Sequence, residues 1–204
     1  MYTRFSKRDL LFSLVTGFYT GFIAWRIFDF VEVPKFQYLS YAWLMLLVPV
    51  LWILGINLGY FLGQWRSFFN QFGKFAAIGF TNAAVDFGVL NLLIFYSGVS
   101  AGLLFPIFKG ISFVVSATHS YFWNKYWSFK AVSTDVSGQE FFKFFSVTVG
   151  AFLINVSIAS IIVNLIGPQF GLSGEAWANV GAVAGSALAL IASFIGFKTV
   201  VFKK

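Results

Sequence analysis

Apolar residues in this chain are gathered into six long stretches separated by short polar connections. The stretches lie at about 10–31, 41–64, 73–97, 104–127, 141–166 and 176–201. A helix rises about 1.5 Å per residue and the hydrocarbon core of a bilayer is about 30 Å thick, so each stretch is long enough to span a membrane. The longest polar interval, 130–140, is too short for a soluble domain. The pattern predicts an all-α integral membrane protein with six transmembrane helices.

Composition supports this class. Of the 204 residues, 59% are hydrophobic and 10% are charged, whereas about a quarter of the residues in a soluble domain carry charge. The chain has no cysteine, which excludes disulfides and thiolate metal sites. Its formal net charge of +7 does not indicate nucleic-acid binding, because the basic residues stand at the ends of apolar runs, where they act as topology signals.

The distribution of basic residues predicts the orientation. One set of helix ends carries Arg4, Lys7, Arg8, Arg66, Lys74, Lys125, Lys130, Lys143, Lys198, Lys203 and Lys204. The connections on the other side hold Asp29, Glu32, Lys35 and Glu175. Because basic residues concentrate on the cytoplasmic side, we expect both termini to lie in the cytoplasm and the protein to reside in a bacterial inner membrane.

The first stretch has two interpretations. Basic residues before an apolar run are also found in cleavable signal peptides. The length of the run, the charged residues Arg26 and Asp29 near its end, and the lack of a small-x-small cleavage site favour a retained helix. Arg26 and Asp29 stand three residues apart, so they either pair at the outer boundary or reach separately into the headgroup region.

The second half of the chain contains an internal repeat. Segments 74–86 and 143–155 both open with Lys-Phe and place an acid or its amide counterpart at the same later position. Segments 125–129 and 198–202 keep the same spacing between a lysine and a phenylalanine at the end of a helix. A helical hairpin is therefore used twice in the same orientation, which is a parallel repeat.

The motifs in the repeat carry a family resemblance. They lie at 72–75, Gly79 and Asp86, then at 109–113 and 122–129, and then at Lys143-Phe144 and Asn155. Over residues 72–204 the chain resembles the GtrA-like family of small four-helix membrane proteins, which predicts an N-terminal transmembrane hairpin at 1–70 and a GtrA-like domain at 71–204. The last helix lacks the usual Asn and Trp of the motif, so any role of Asn124 and Trp127 belongs to the first copy alone.

The resemblance implies a role in cell-surface polysaccharide or teichoic acid glycosylation. Members of the family are thought to flip polyprenyl-phosphate-linked sugars across the membrane, or to assist the enzymes that make and use these lipids.

Two charged residues are expected inside the membrane. Asp86 follows Lys74 by about 18 Å of helix, and Lys109 precedes Lys125 by about 24 Å, so the two lie within about 6 Å in depth if the flanking lysines mark one boundary. Intramembrane charges are costly and usually face protein or water. Asp86 and Lys109 are therefore candidates for function, and the alternative is an ion pair that fastens two helices.

A polar stripe on the helix of Lys109 predicts a groove. At 100° per residue, five residues fall on one face: Lys109, Ser112, Ser116, His119 and Ser120. On the preceding helix Gly79, Asn82 and Asp86 share a face. Helix packing is the alternative, because small and hydroxyl side chains also line helix interfaces. We prefer packing for the last helix, where Asn179, Ser186 and Ser193 recur.

The first functional hypothesis is a translocase for a lipid-linked sugar, with the polyprenyl-phosphate sugar and membrane lipids as its partners. In this hypothesis Lys109 attracts the phosphate and Asp86 balances its charge. No ATP site or cofactor is expected, so a gradient would drive transport. The predicted substrate-binding residues are Lys109, Asp86, Asn82, His119, Ser112, Ser116, Asn124, Lys125, Trp127, Lys74, Lys143, Asn155 and Lys198.

Other functional classes stay open. The chain is either a non-transporting membrane adaptor for a glycosyltransferase or, thirdly, a proton-coupled exporter of small cations. Glycines spaced by four at Gly17 and Gly21 and at 55–63 predict close helix contacts, within the chain or in a homo-oligomer. Trp123 and Trp127 are expected to be interfacial anchors or to stack on a sugar beside Lys125. An enzyme is not expected, since acids at metal-ligand spacing and a phosphate-binding glycine loop are lacking.

Overall fold

The computed structural model describes residues 5–30, 33–34, 39–99, 104–129, 137–171 and 174–202. Within the helices some side chains lie outside the described part, and those of four residues singled out above, Lys109, Glu175, Asn179 and Ser186, are among them.

Six α-helices account for the described chain. They are α1 (Lys7–Phe30), α2 (Leu44–Leu62), α3 (Phe69–Ser97), α4 (Leu104–Trp123), α5 (Gly138–Ser160) and α6 (Gly174–Gly196). A 3-10 turn, Tyr41–Trp43, precedes α2, and π-helical turns extend α4, α5 and α6 through Asn124–Ser128, Ile161–Ile166 and Phe197–Val201. Every regular element in the described ranges is helical, which confirms the predicted fold class.

The membrane character is clearest in the first three helices. Among the described residues, Lys7–Phe30, Tyr41–Leu62 and Phe69–Ser97 are long and apolar enough to cross a bilayer, and Ala187–Val201 is a shorter apolar segment. The protein is therefore an α-helical membrane protein. The count of six spans and the cytoplasmic position of the termini stay predictions.

Equivalent ends of α4 and α6 share one local structure. In both, the helix widens into a π turn, so that the amide of Phe129 donates to the carbonyl of Asn124 at 2.9 Å and the amide of Phe202 donates to that of Phe197 at 2.7 Å. A π turn inserts one residue into the helical hydrogen-bond pattern and is uncommon. Its recurrence at the positions that the repeat equates supports the two-hairpin architecture.

Aromatic packing repeats as well. The ring of Phe75 at the start of α3 lies 6.1 Å from that of Phe129, and the ring of Phe144 in α5 lies 6.4 Å from that of Phe202. All four side chains are buried. We refer to α3 with α4 as the first hairpin and to α5 with α6 as the second hairpin; α1 with α2 form the N-terminal hairpin.

The chain divides into two compact units, Met1–Lys130 and Ala131–Lys204. The first unit holds the N-terminal hairpin together with the first hairpin, and the second unit holds the second hairpin. The sequence predicts a different division, into an N-terminal hairpin at 1–70 and a repeat-bearing domain at 71–204, and that division stays a prediction. In terms of packing, the N-terminal hairpin belongs with the first hairpin.

Glycines let the helices of the first unit approach closely. A Cβ atom added to Gly17 of α1 would lie 2.5 Å from the Cα of Pro49 in α2, and one added to Gly21 would meet the carbonyl oxygen of Leu44. A Cβ atom on Gly59 of α2 would lie 2.9 Å from a carbonyl oxygen at the start of α3. These glycines therefore serve contacts within the chain, a point that the sequence left open.

Candidate functional site

One face of α1 is polar although the helix is apolar enough to cross a bilayer. Asp9, Ser13, Thr16 and Thr20 follow one another at spacings of three or four residues, and all four are buried. The hydroxyls of Ser13, Thr16 and Thr20 each donate to the backbone carbonyl four residues earlier, which satisfies them without water. The hydroxyl of Thr20 also lies 3.1 Å from the hydroxyl of Thr81 in α3. The polar face of α1 thus packs against α3.

At the start of this stripe, Asp9 forms a buried ion pair with Lys74. The Nζ of Lys74 lies 2.7 Å from Oδ1 of Asp9, and the two side chains are 3% and 1% exposed. Burying both charges removes their hydration, so such a pair is stable only when further hydrogen bonds satisfy the remaining lone pairs. The surroundings of Asp9 supply these bonds.

Three more side chains donate to the Asp9 carboxylate. The indole Nε1 of Trp127 donates to Oδ1 at 3.0 Å. The hydroxyls of Tyr60 and Ser6 each donate to Oδ2 at 2.8 Å. We call Asp9, Ser6, Tyr60, Lys74 and Trp127 the Asp9 cluster. Because its members come from α1, α2, α3 and the π turn after α4, the cluster ties the four helices of the first unit together at one end.

Lys125 and Asn124 lie beside the Asp9 cluster and are also buried. Lys125 is 0% exposed, and its Nζ lies 3.4 Å from the hydroxyl of Tyr121 and 5.6 Å from the centre of that ring. The side-chain amide of Asn124 donates to the carbonyl of Ser120 at 2.9 Å. Both of these contacts lie within one helix, so they fix the two side chains relative to α4.

The same end of α4 is connected to its neighbours. Ser128 donates to the backbone carbonyl of Gln71 at 3.2 Å, and Arg8 donates to the carbonyl of Tyr126 at 2.5 Å. A π turn leaves carbonyl groups without regular helical partners. The guanidinium of Arg8 therefore also completes the hydrogen bonding at the end of this helix.

A second polar group lies about midway along α3 and α4. The hydroxyl of Ser112 donates to Oδ1 of Asp86 at 2.7 Å, and Ser112 is 0% exposed. The buried Oδ1 of Asn82, one turn before Asp86, has no hydrogen-bond partner among the described residues. Lys109 precedes Ser112 by one turn on α4. The structure thus brings together Asp86 and Ser112, which the sequence placed on separate polar stripes of two successive helices.

Two further residues of the polar stripe on α4 have different partners. His119 meets α1, because its Nε2 lies 2.6 Å from the hydroxyl of Tyr19, a hydrogen-bond distance. Its Nδ1 is buried and has no partner among the described residues. Ser116 is buried and donates to the backbone carbonyl of Phe113 at 3.0 Å. The contact of His119 with Tyr19 was not predicted.

The lysines of the second hairpin are exposed. Lys143 is exposed and directly precedes Phe144 in α5. The ring of Phe144 is buried and stacks on that of Phe197 in α6, with ring centres 4.3 Å apart. The Nζ of Lys198 lies 5.8 Å from the ring of Phe194. Asn155 is partly buried. In the second unit by itself, the stacked aromatic pair places Lys143 and Lys198 on neighbouring positions of the two helices.

The structure places three predicted substrate-binding residues in a different setting from the one expected. Lys125 is 0% exposed and so does not face lipid headgroups. Lys74 is engaged by Asp9 rather than exposed to lipid headgroups. Trp127 is 0% exposed and donates to Asp9, instead of standing at the interface. Sequence reasoning missed the role of Asp9. The available signal was the spacing of Asp9 with three hydroxyl residues on one face of an otherwise apolar helix.

Comparison with known families agrees with this architecture. The model of the GtrA/DPMS transmembrane domain matches residues 74–202, from the lysine of the Asp9 cluster to the last π turn. Comparison with curated proteins and with solved structures gave no match. The match spans more than half of the chain and covers both hairpins of the repeat. The chain therefore belongs to the GtrA/DPMS transmembrane domain family.

Proposed function

We propose that this protein translocates a polyprenyl-phosphate-linked sugar across a bacterial inner membrane for cell-surface polysaccharide glycosylation. The observation that supports the proposal best is the hydrogen bond from Ser112 to Asp86. It joins two helices about 18 Å from the Asp9 cluster, measured along α3. A carboxylate at this depth is costly and by default indicates a polar path through the membrane. Membership of the GtrA/DPMS family supports the same class of lipid substrate.

In the proposed mechanism only the headgroup enters the protein. The prenyl chain stays in the bilayer, so the polar path needs to accommodate a phosphate and a sugar. Lys109, one turn from Ser112, attracts the phosphate, and Asp86 balances the lysine when the lipid has left. Ser112 is placed to donate its hydrogen bond to Asp86 in the empty state and to a phosphate oxygen in the loaded state.

Exposed lysines gather the substrate before it enters. Lys143 and Lys198 are accessible, and basic residues at a membrane surface attract anionic lipid by about 1 kcal/mol each. Lys74 and Lys125 are buried, so in this mechanism they stabilise the first unit. No residue is assigned a catalytic role.

Transport of a polyprenyl-phosphate-linked sugar into proteoliposomes tests the proposal. Lys109→Ala and Asp86→Asn are expected to slow transport about tenfold or more, because each removes an interaction with a charged group. Ser112→Ala is expected to have a smaller effect. Thr118→Val is the matched control, since the Thr118 hydroxyl donates to the carbonyl of Val114 in its own helix. Wild-type liposomes that move the lipid no faster than empty ones, across several sugars, would refute the translocase.

An adaptor for a glycosyltransferase is the second candidate, and one feature of α2 favours it. A Cβ atom added to Gly55 would meet nothing within 4 Å, although Gly59 is packed against α3. Leu54 and Leu58 beside Gly55 are 60% and 55% exposed. Gly55→Leu should therefore leave the fold intact and disrupt a partner that packs on this face. Loss of a co-purified glycosyltransferase in this variant, without transport by the wild type, would favour the adaptor.

A further inference from the structure

A groove of about 490 Å³ opens between α1 and α3 at the ends of these helices that lie opposite to the Asp9 cluster. This volume is within the range of small-molecule sites. The helices approach closely at its floor, since a Cβ atom on Gly88 would lie 2.7 Å from a methyl group of Ile23. Glycine at position 88 therefore allows α1 and α3 to meet at the floor of the groove.

The polar side chains of the groove form a neutral donor and acceptor set. The guanidinium of Arg26 lies 3.7 Å from the carboxylate of Asp29, with the side chains 60% and 26% exposed. The amide nitrogen of Asn91 donates to the carbonyl of Phe87 at 2.8 Å, and its amide oxygen can accept a hydrogen bond. Since Arg26 and Asp29 offset each other in charge, the set suits hydroxyl groups, which both donate and accept, better than an isolated anion.

Aromatic rings stand beside these polar groups. Phe30 of α1 and Phe95 of α3 are 40% and 62% exposed, and their ring centres lie 6.0 Å apart with the rings nearly perpendicular. Tyr96 at the rim is 82% exposed. Exposed aromatic faces next to planar hydrogen-bonding groups are the surroundings in which the C–H face of a pyranose packs on a ring while its hydroxyls bond to the polar side chains.

We propose that this groove binds the saccharide of the lipid-linked sugar at the helix ends opposite to the Asp9 cluster. The inference rests on the proposed function. Under the predicted topology the groove faces the extracytoplasmic side, where the headgroup arrives after crossing. Phe22 and Leu92, which also line the groove, offer an apolar wall to the first prenyl units. Helix α1 lies outside the matched residues 74–202, so the N-terminal hairpin adds this site to the family domain.

Protection of a single thiol tests the groove. Because the chain has no cysteine, Tyr96→Cys provides one reactive thiol at the rim and Ser97→Cys provides an adjacent control outside the lining. A membrane-impermeant maleimide is applied with a polyprenyl-phosphate-linked hexose or with the same polyprenyl phosphate lacking sugar. At about ten times the dissociation constant the hexose lipid should slow labelling of Tyr96→Cys about tenfold. Labelling of Ser97→Cys should change little.

Second substitutions identify the groups responsible. In the Tyr96→Cys background, Arg26→Gln and Asn91→Ala should each abolish the protection. Asn57→Ala is the matched control for Asn91→Ala, because the amide of Asn57 also donates to a carbonyl four residues earlier, at 2.7 Å, on α2 and away from the groove. All of these side chains lie at the surface of the first unit, and elution as a single species in detergent checks that each variant is folded.

The outcomes separate the groove from the translocase. Equal protection by both lipids would overturn the assignment to the saccharide, and no protection by either would overturn the groove as a binding site. If transport in proteoliposomes persists in those cases, the proposed function stands without the groove. Sugar-dependent protection in a protein that does not transport would support the groove and refute the translocase.

Discussion

The two hairpins of the repeat share an aromatic framework but differ in their lysines. Phe75 and Phe144 are 4% and 1% exposed at equivalent positions, and each lies within about 6 Å of the phenylalanine that follows a π turn. Lys74, which precedes Phe75, is buried. Lys143, which precedes Phe144, is exposed. The aromatic packing is thus the same whether the preceding lysine is buried or exposed.

The difference follows from a residue outside the repeat. Asp9 of the N-terminal hairpin pairs with Lys74, and Trp127 reaches the same carboxylate. The position equivalent to Trp127 in the second hairpin is Val200, which is 51% exposed. The Lys-Phe motif therefore has two roles. In the first hairpin, Asp9 of the N-terminal hairpin makes Lys74 a structural residue, whereas in the second hairpin Lys143 remains an accessible cation.

Asp9→Ala should produce the largest difference between the two copies. It leaves the buried Lys74 without its carboxylate, and breaking a buried ion pair costs about 3–5 kcal/mol. Lys143→Ala, at the equivalent lysine of the second hairpin, should change the free energy of unfolding by no more than about 0.5 kcal/mol. Denaturant unfolding in detergent micelles measures both effects. Similar values for the two variants would contradict the asymmetry.

A double variant sharpens this result. Asp9→Ala combined with Lys74→Met removes both charges, so it should be less destabilising than Asp9→Ala alone. A double variant that is as unstable as the sum of its parts would indicate that the two side chains do not act as a pair.

Trp127→Phe should have the next largest effect. The substitution keeps an aromatic ring but removes the indole donor to Asp9, and a lost hydrogen bond to a charged group costs about 1.5–3 kcal/mol. Val200→Ala is the counterpart in the second hairpin and should cost about 0.5 kcal/mol or less because the side chain is half exposed. Thermal unfolding of the two variants under identical detergent conditions compares them. An equal loss of stability in both variants would show that the indole of Trp127 does not stabilise the Asp9 cluster.

Tyr60→Phe should have the smallest measurable effect. It removes one of the hydroxyl donors to Asp9, and because Tyr60 is partly exposed whereas Trp127 is buried, water can replace the lost donor, so we expect a loss of about 1 kcal/mol. Tyr96→Phe is the control, since Tyr96 is 82% exposed and its hydroxyl is in contact with solvent or headgroups. If Tyr60→Phe is as neutral as this control in denaturant unfolding, the contribution of Tyr60 is confined to packing.

Local pattern predicted much of the fold. The apolar runs gave helices close to their observed bounds, for example 73–97 against Phe69–Ser97, because an apolar run in a membrane must satisfy its backbone internally as a helix. The pairing of Arg26 with Asp29, one of two readings of their spacing, is observed at 3.7 Å. The repeat was visible because its two copies keep the same residue types at the same separations.

Partners distant in sequence were not predictable in the same way. Nothing in the pattern specifies that Asp9 selects Lys74 or that Trp127 turns inward, because these contacts depend on how α1, α3 and α4 pack. The burial of Lys74 runs against the usual behaviour of lysine, and it is stable because α1 supplies Asp9 as its partner. Helix periodicity did place Asp86 and Ser112 on polar stripes of their own helices, since each stripe is local, but the contact between the two stripes is shown only by the structure.

The dependence of Asp9 on partners from three later segments also bears on biosynthesis. When α1 leaves the ribosome, neither Tyr60 nor Lys74 has been synthesised, and Trp127 follows only at the end of α4. Until then the carboxylate must remain hydrated near the membrane surface, because a bare charge in hydrocarbon is costly. The N-terminal hairpin therefore cannot settle to its final depth until the first hairpin is complete. The order of synthesis along the chain thus sets an order of assembly, in which α1 reaches its final position in the first unit only after α4 has been made.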